Sequence, residues 1–354
     1  MYIENPDRAN LRYGYTTGAC ATAATKAALI MLFTGNRVDT IEINLPAKKT
    51  ATFKVEKIEI GKNYCSAAIK KDGGDDPDVT TGLYIHARVE YNLTHDTVIK
   101  GGKGVGTVTQ EGLPVKPGNP AINPVPLRMI KNAASEVIER YMPGSGITVT
   151  IYVPGGEEIA KKTCNPKLGI VGGISILGTR GIVIPFSDSS WKASIVLGIR
   201  VAAKLGYDTL VYSTGGRSDG AVKQLYPEYN EQQFIEVGDF MGFSIKRALD
   251  AGIKKLIIAG MPGKMSKLAA NNMDLHSSQS SIDFKFLSGI AAQLGYGNDI
   301  IYRIERANTV MQVMEILNGD SRFLDKIIDS IIFNINKITD NKIKIKIEII
   351  KNYY

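Results

Sequence analysis

The chain has 354 residues, 44% of them hydrophobic and 22% charged, with a formal net charge of +8. These values describe an ordinary folded chain of more than one domain. The apolar runs look too short to cross a bilayer, and the first ten residues lack a secretory leader. We therefore predict a cytoplasmic protein that binds no membrane. The positive charge without aromatic-interleaved Lys/Arg blocks argues against nucleic acid and leaves an acidic small molecule open.

The first half of the chain is predicted to be an α+β domain over residues 1–160. A helix is expected from about Thr17 to Phe33, ended by Gly35. A further helix should begin near Pro126, because proline suits the first helical turn. Residues with partial alternation and β-branched side chains predict strands at VDTIEINLP, ATFKVEKIEI, CSAAIK, GLYIHARVEY and ITVTIYVP.

The second half, residues 161–354, is predicted to be an α/β domain. Short apolar strands alternate with helices, a pattern typical of a mainly parallel sheet covered on both faces. Ligands of such sheets bind at the carboxyl ends of the strands. The tail alternates Ile with Lys at 342–349, which predicts an edge strand protected by lysines. The expected strands are GIVIP, TLVYS and KLIIAG, and the expected helices are SDSSWKASIVLGIRVAAKLG, DFMGFSIKRALDAG and SKLAANN.

The stretch GYTTGACATAAT places small residues and hydroxyls at the start of the first helix. Thr16 or Thr17 can cap the helix, and Gly18 leaves the backbone open. A helix N-terminus with free N–H groups suits a carboxylate or a phosphate. The alternative is that the alanines only pack against a sheet while the threonine caps. Residue types alone favour that structural alternative.

Several glycine-rich turns are candidate ligand loops. TGGRS at 214–218 combines paired glycines with an arginine at a strand-to-helix turn, which suits an anion. GMPGKMS fails as a phosphate-binding loop, because two residues separate its glycines and Met265 follows Lys264. GGKGVG fails as a dinucleotide fingerprint. The glycine density of 169–181 predicts close approach of backbone to backbone or to a ligand.

The titratable residues give no metal centre. Three histidines and three cysteines lack the spacing of a zinc site, and the cysteines are predicted to be reduced thiols. His276, flanked by hydroxyls, is the best-placed histidine for proton transfer. The acidic turn DGGDDPD is a solvated turn, a cation-binding loop or a proton acceptor, and these alternatives stay open.

Six stretches of the chain are distinctive when taken together. They are YTTGACATAATKAA, KDGGDDPDVTTG, GGKGVGTVTQEGLPVKPGNPAINPVP, NPKLGIVGGISILGTRGIVIPFS, STGGRSD and AGMPGKMSKLAANNMDLHSS. Together they resemble the CbiD family, in the family's order and over about residues 11–290. One departure is Arg180, where the family's turn has a second threonine. Beyond Asn318 the resemblance is slight.

The resemblance implies a cobalt-precorrin-5B C(1)-methyltransferase of anaerobic cobalamin biosynthesis. S-adenosyl-L-methionine would donate the methyl group to a cobalt-corrinoid substrate, giving cobalt-precorrin-6A and S-adenosylhomocysteine. Cobalt would enter only within the substrate. The C-terminal half is compatible with a Rossmann-like sheet.

The resemblance also changes the reading of the candidate residues. A macrocycle with acetate and propionate arms needs anion-binding positions, so the helix tip is now expected to bind substrate. The expected substrate-binding residues are Thr16, Thr17, Gly18, Ser175, Thr179 and Arg180. The expected cofactor-binding residues are Thr214, Gly215, Gly216, Arg217, Gly260 and Gly263. Three candidates for a general base stay open, namely Asp78, Asp188 and His276.

Two other functions compete with this interpretation. A nucleotide-dependent phosphotransferase would use the glycine-rich turns, although the chain lacks a complete phosphate-binding loop. A tetrapyrrole carrier would bind a corrinoid and have no donor pocket. The oligomeric state stays open, and a homo-oligomer is compatible with the sequence.

Overall fold

The computed structural model describes residues 11–350. The chain divides into two compact units, unit 1 (Met1–Ser187) and unit 2 (Asp188–Tyr354). Residues 1–10, on which the expectation of a missing leader rests, lie outside the described residues.

Unit 1 combines two long helices with a mixed sheet. Its helices are α1 (Thr17–Thr34), α2 (Pro124–Tyr141) and α3 (Gly156–Ala160). Its longer strands are β2 (Thr40–Leu45), β3 (Lys49–Lys54), β4 (Glu56–Ile60), β5 (Tyr64–Lys70), β6 (Tyr84–Tyr91), β7 (Thr97–Gly101) and β10 (Ile147–Tyr152). Its two-residue strands are β1 (Gly14–Tyr15), β8 (Gly104–Val105), β9 (Thr107–Val108), β11 (Ile170–Val171), β12 (Gly173–Ile174) and β13 (Ile182–Val183).

The main sheet of unit 1 has the order β4-β5-β6-β10-β7 and is antiparallel except between β10 and β7. Helix α1 packs against β5, β6 and α2. Alanines fill six of its thirteen buried positions, and glycine, cysteine and threonines fill five more, so backbones on several sides approach it closely. The α+β character predicted for this half is therefore observed.

Helix α1 behaves as a core helix. It is capped by Thr16 and ends at Gly35, which has a left-handed φ of 70°, so the predicted bounds hold within one residue. By length and composition it could cross a bilayer, so the sequence expectation that no apolar run is long enough was wrong. However, 72% of the helix is buried within the structure, as a core helix would be.

The division between the units lies later than the sequence predicted. The boundary was expected at 160/161, whereas the compact units divide at Ser187 and Asp188. Short strands explain the difference, because β11 pairs with β9, β12 with β8, and β13 with β1. The glycine-rich segment that contains β11 to β13, and GIVIP with it, thus completes unit 1 rather than opening unit 2.

Unit 2 has a small parallel sheet and many helices. Its strands are β14 (Thr209–Ser213), β15 (Phe234–Glu236), β16 (Lys255–Gly260) and β17 (Lys344–Ile349). Its helices are α4 (Asp188–Lys204), α5 (Gly216–Leu225), α6 (Met241–Asp250), α7 (Pro262–Ala269), α8 (Phe284–Gln293), α9 (Asn298–Glu305), α10 (Val310–Ile316) and α11 (Ser321–Thr339).

The sheet of unit 2 has the order β15-β14-β16-β17, and all three pairings are parallel. In chain order these are the second, first, third and fourth strands. The chain therefore changes direction across the sheet between β14 and β16, and this switch point is where doubly wound sheets open a ligand crevice. Strand β17 lies at the edge, so the predicted lysine-bearing edge strand is confirmed.

Candidate functional sites

In unit 1 the structure brings together the expected substrate-binding residues. Thr17 Oγ1 lies 3.1 Å from Ser175 O, and the N–H of Leu177 donates to Thr17 Oγ1 at 2.9 Å. The N–H of Thr16 donates to Gly181 O at 3.1 Å. The start of α1 and the glycine-rich segment are therefore neighbours, as their joint assignment required.

The start of α1 is closed by the chain's own groups. The N–H of Gly18 donates to Leu177 O at 3.0 Å, and that of Ala19 donates to Thr16 Oγ1 at 3.2 Å. Thr16 and Thr17 are buried. These contacts match the capping and packing alternative, because two helix-tip donors that would hold a carboxylate are already occupied.

The remaining expected substrate residues divide into buried and exposed ones. Ser175 is buried, and its hydroxyl donates to Asn165 Oδ1 at 3.2 Å, so its contacts are internal. Thr179 and Arg180 are exposed in the turn that follows. The backbone carbonyl of Arg180 accepts from the N–H of Ala47 at 3.2 Å, which fixes the turn while leaving the guanidinium at the surface.

Asp78, one of the three expected bases, is part of an ion pair with a buried lysine. Its Oδ2 lies 2.7 Å from Lys71 Nζ, and the Lys71 side chain is 1% exposed. Its Oδ1 accepts from the N–H and the hydroxyl of Thr80. Burial by itself would raise the pKa of Asp78, but the charge and hydrogen bonds of Lys71 and Thr80 together lower it. An ionised carboxylate with filled contacts is poorly prepared to accept a proton.

Asp76, in the same turn, has a raised pKa, whereas the pKa of Asp78 is lowered. Its Oδ1 accepts from the N–H of Phe186 at 3.0 Å. Burial raises the pKa of its carboxyl, and the nearby charge of Asp78 adds to that shift. From this turn the sequence predicted Asp78 and not Asp76 as a candidate base, because the burial of each carboxylate is invisible in DGGDDPD. Within residues 11–350 no group of three or more His, Cys, Asp or Glu side chains is arranged to hold a metal ion.

A groove lies between α1, β2 and α2 in unit 1, with a volume of about 370 Å³. Apolar side chains of β2 and α2 form much of its wall. Its charged lining residues are Lys26, Arg128 and Glu136, and Asn44 and Asn132 add amides. The sequence analysis did not identify this groove, because its residues come from three separate segments.

In unit 2 the expected cofactor residues meet at the carboxyl ends of β14 and β16. Gly215 and Gly216 face open space, since a Cβ built on either would meet nothing within 4 Å. Thr214 is buried, and its N–H donates to Ala259 O and to Ser218 Oγ, both at 3.1 Å. Arg217 is exposed in the first turn of α5. The turn therefore offers open glycine backbone beside a cation.

Gly260 and Gly263 differ from each other. A Cβ on Gly260 would lie 2.5 Å from Met265 Sδ and 2.9 Å from Thr214 Oγ1. Packing of β16 against α7 thus explains this glycine, and no open cofactor surface is needed for it. A Cβ on Gly263 would meet only Ile282, at 4.0 Å, so that backbone is accessible.

A lysine links the three loops that follow β14, β15 and β16. Lys264 Nζ donates to Thr214 O at 2.7 Å and lies 2.9 Å from Asp239 Oδ1. Asp239 follows β15, although the sequence analysis placed it inside the next helix, which begins only at Met241. The signal that could have located it was the short apolar run FIEV followed by Gly-Asp, which resembles TLVYS followed by Thr-Gly-Gly.

An aromatic residue stands beside this acidic position. Trp191, in the first turns of α4, donates through Nε1 to Glu236 O at 3.3 Å, and 38% of it is exposed. Its ring lies over Gly238, where an added Cβ would approach it within 3.1 Å. Its centroid lies 6.3 Å from that of Phe240 in an edge-to-face arrangement. Trp191 of α4 thus packs on the loop after β15, the loop that also carries Asp239.

The two remaining expected bases lie near the same end of unit 2. Asp188 is the first residue of α4 and is exposed. His276 Nδ1 accepts from the N–H of Ser278 at 3.2 Å and lies 2.7 Å from its hydroxyl. The segment that carries it is held to the β15 loop, because the N–H of Leu275 donates to Asp239 O at 3.0 Å.

Comparison with known proteins assigns the family. A family model described as CbiD matches residues 4–185, and one described as CbiD, C-terminal domain, matches residues 274–352. The chain belongs to the CbiD family. The second match covers the tail beyond Asn318, so the expectation that this tail shows little of the family was wrong. The end of the first CbiD match, at residue 185, lies close to the boundary between the units.

Proteins named cobalt-precorrin-5B C(1)-methyltransferase are similar to this CbiD chain along most of its length. The one from Picrophilus torridus is 51% identical over 312 residues, which are 88% of this chain and 90% of that protein. The one from Geobacillus sp. (strain WCH70) is 50% identical over 321 residues, which are 90% of this chain and 88% of that protein.

A crystal structure titled cobalamin biosynthesis protein (cbiD) from Archaeoglobus fulgidus is 29% identical to this chain. The similarity covers 74% of this chain and 82% of that one, with a TM-score of 0.41.

Proposed function

We propose that this chain is a cobalt-precorrin-5B C(1)-methyltransferase, which transfers a methyl group from S-adenosyl-L-methionine to C-1 of cobalt-precorrin-5B. The observation that carries the proposal is membership of the CbiD family, with relatives of that name about half identical over some nine tenths of the chain. The products would be cobalt-precorrin-6A and S-adenosylhomocysteine.

The donor is proposed to bind at the carboxyl edge of the unit 2 sheet, which would then serve as a Rossmann-like cofactor platform. Support comes from the switch point between β14 and β16 and from the open backbone of Gly215, Gly216 and Gly263. Arg217, exposed beside Gly216, would pair with the methionyl carboxylate, because guanidinium groups bind carboxylates through two hydrogen bonds.

The adenosyl part is proposed to lie over the loop after β15. Asp239 can accept hydrogen bonds from the ribose hydroxyls, since carboxylates are strong acceptors. The exposed part of Trp191 can stack on the purine, an interaction worth about 1–3 kcal/mol per base in other proteins. Lys264 would hold Asp239 close to the turn after β14, because its Nζ contacts both Asp239 Oδ1 and Thr214 O.

The reaction needs positioning more than activation. The substrate carbon forms its bond to the methyl group while the sulfur–methyl bond breaks, and the electron pair returns to sulfur. The sulfonium donor is already reactive, so orientation can supply about 7–11 kcal/mol of the barrier. Any base that prepares the carbon nucleophile is proposed to come from Asp76, Asp188 or His276, since Asp78 is held by Lys71.

Titration with S-adenosylhomocysteine tests the proposal directly. Trp191 is the only tryptophan of the chain, so its fluorescence reports events beside Asp239. We expect S-adenosylhomocysteine to quench this fluorescence and, at 100 times its Kd, to stabilise the protein by about 2.7 kcal/mol. If saturating S-adenosylhomocysteine causes neither quenching nor stabilisation, the methyltransferase proposal is refuted, and the corrinoid carrier is the remaining interpretation. Stabilisation by ATP–Mg²⁺ instead would favour the phosphotransferase.

A pair of variants locates the donor. Arg217→Ala should weaken S-adenosylhomocysteine binding and leave the melting temperature of the free protein unchanged. Arg303→Ala, an equally exposed arginine on α9, is the matched control and should change neither value. Equal weakening by both variants would remove Arg217 from the donor site.

A further inference from the structure

We propose that the groove between α1, β2 and α2 binds a carboxylate arm of the corrinoid substrate, and that Arg128 is its anion-binding residue. The inference rests on the proposed function, because it concerns how that substrate is held. The groove belongs wholly to unit 1 and shares no residue with the proposed donor site.

The size and lining of the groove fit the periphery of a macrocycle. Its volume of about 370 Å³ is near the lower end of the range for small-molecule sites, so it suits the arms of a large ring rather than the whole ring. Ile43, Leu45, Val125 and Met129 give it an apolar wall. Acetate and propionate arms have the same division, with methylene groups next to a carboxylate.

Arg128 supplies an unused positive charge at this groove. It is exposed on the first turns of α2, and within residues 11–350 its guanidinium has no hydrogen-bond or ion-pair partner. A guanidinium can bind a carboxylate through two parallel hydrogen bonds, and such pairs are stronger than neutral ones. Asn132, one helical turn further along α2, adds an amide donor to the same lining.

The second cation of the groove is already neutralised. Lys26 Nζ lies 2.8 Å from Glu136 Oε1, and the side chain of Lys26 is 15% exposed while that of Glu136 is 58% exposed. This pair leaves the charged lining with a net charge of +1, contributed by Arg128. A single negatively charged arm would balance it.

The closed helix tip strengthens the choice of this groove. The donors of Gly18 and Ala19 at the start of α1 are occupied, so a carboxylate would have to displace the chain's own groups there. The groove lies further along the same helix, at Thr22 and Lys26, and needs no such displacement. Unit 1 can therefore hold an acidic arm without opening its glycine-rich segment.

Two corrinoid probes separate carboxylate binding from binding of the ring. Dicyanocobyrinic acid carries free carboxylates, whereas its heptamethyl ester carries none. We expect the acid to bind the wild-type protein and Arg128→Ala to weaken that binding at least tenfold, since the carboxylate would lose its charge-assisted hydrogen bonds. Arg128→Lys should recover part of the affinity. The ester should bind both proteins equally weakly.

Lys131→Ala is the matched control, because Lys131 is exposed on the same helix but does not line the groove. Its affinity for the acid should equal that of the wild type. Equal losses in Lys131→Ala and Arg128→Ala, or no loss in Arg128→Ala, would overturn the groove assignment.

S-adenosylhomocysteine is titrated in the same samples to keep the two proposals distinguishable. If Arg128→Ala leaves both ligands bound as in wild type, the groove fails while the methyltransferase stands. If S-adenosylhomocysteine does not bind the wild-type protein, the proposed function fails first, and with it the identification of the groove's ligand.

Discussion

Replacing Asp78 by asparagine separates a structural role of this residue from a catalytic one. The substitution keeps the shape of the side chain and an oxygen that Thr80 can reach, but it removes the charge 2.7 Å from Lys71 Nζ. The Lys71 side chain is 1% exposed, so its ammonium would be left buried and unpaired. Loss of one partner of such a pair costs about 3–5 kcal/mol. We expect unit 1 to lose stability by that amount.

Urea unfolding at pH 7 measures this loss. Far-ultraviolet circular dichroism follows both units, whereas Trp191 fluorescence follows unit 2, so the change should appear in the first signal alone. Asp39→Asn is the matched control. It breaks a surface pair with Arg37 in the same unit, with side chains 68% and 75% exposed, and should cost no more than about 1 kcal/mol.

The pH dependence gives an independent check of the Asp78 prediction. The pKa of Asp78 is lowered in the folded protein, so its contribution is fully present above the unfolded value of about 3.9. The contribution is lost as the pH falls through the folded pKa, so the difference between wild type and Asp78→Asn should shrink below about pH 4. A variant that keeps its stability but loses turnover would refute the structural reading and restore Asp78 as a base.

Two further predictions concern backbone packing and thiol access. Gly178→Ala should destabilise the protein by about 1–3 kcal/mol, because φ is +128° there and the new Cβ would lie 2.4 Å from Thr16 Cβ. Gly289→Ala, which meets nothing within 4 Å, should leave the melting temperature unchanged or higher, and equal losses in both variants would contradict the packing argument. A disulfide reagent should label the exposed Cys164 quickly and Cys20 only on unfolding, since burial raises the pKa of Cys20 to about 12. Equal labelling rates in the native protein would show that the start of α1 opens.

The elements that could be predicted from the sequence are those specified by local patterns. Helix α1 is bounded by a threonine N-cap and a C-terminal glycine, and both residue types are recognisable helix-end signals in the sequence. Strands β14 and β16 are short apolar runs followed by glycine turns, and β17 alternates Ile with Lys. In each case the residues that define the element lie next to one another in the chain.

Features that depend on distant partners could not be predicted. The boundary between the units was placed too early, because strands of two residues carry no periodicity and their pairing is decided across the fold. The hydroxyl of Thr17 was expected to meet a ligand but meets Ser175 and Leu177, 158 and 160 residues away. Nothing in the letters KKDGG distinguishes the buried Lys71 from its exposed neighbour Lys70.

In the candidate sites, too, residues in local patterns could be predicted from the sequence, whereas residues brought together by distant segments could not. The glycines after β14 could be predicted as a candidate ligand turn because a strand followed by Thr-Gly-Gly is a local signal. Asp239 and Lys264 were not identified, since their link depends on three loops converging at one edge of a sheet. Arg128 was also overlooked, because an exposed helical arginine becomes notable only when a groove forms beside it.

Transfer of an isotopically labelled methyl group tests the central claim most directly. Cobalt-precorrin-5B is incubated with the protein and methyl-labelled S-adenosyl-L-methionine, and the corrinoid product is examined by mass spectrometry and NMR. The account predicts one labelled methyl group at C-1 and one equivalent of S-adenosylhomocysteine. An unmodified corrinoid recovered from protein that binds both molecules would contradict it.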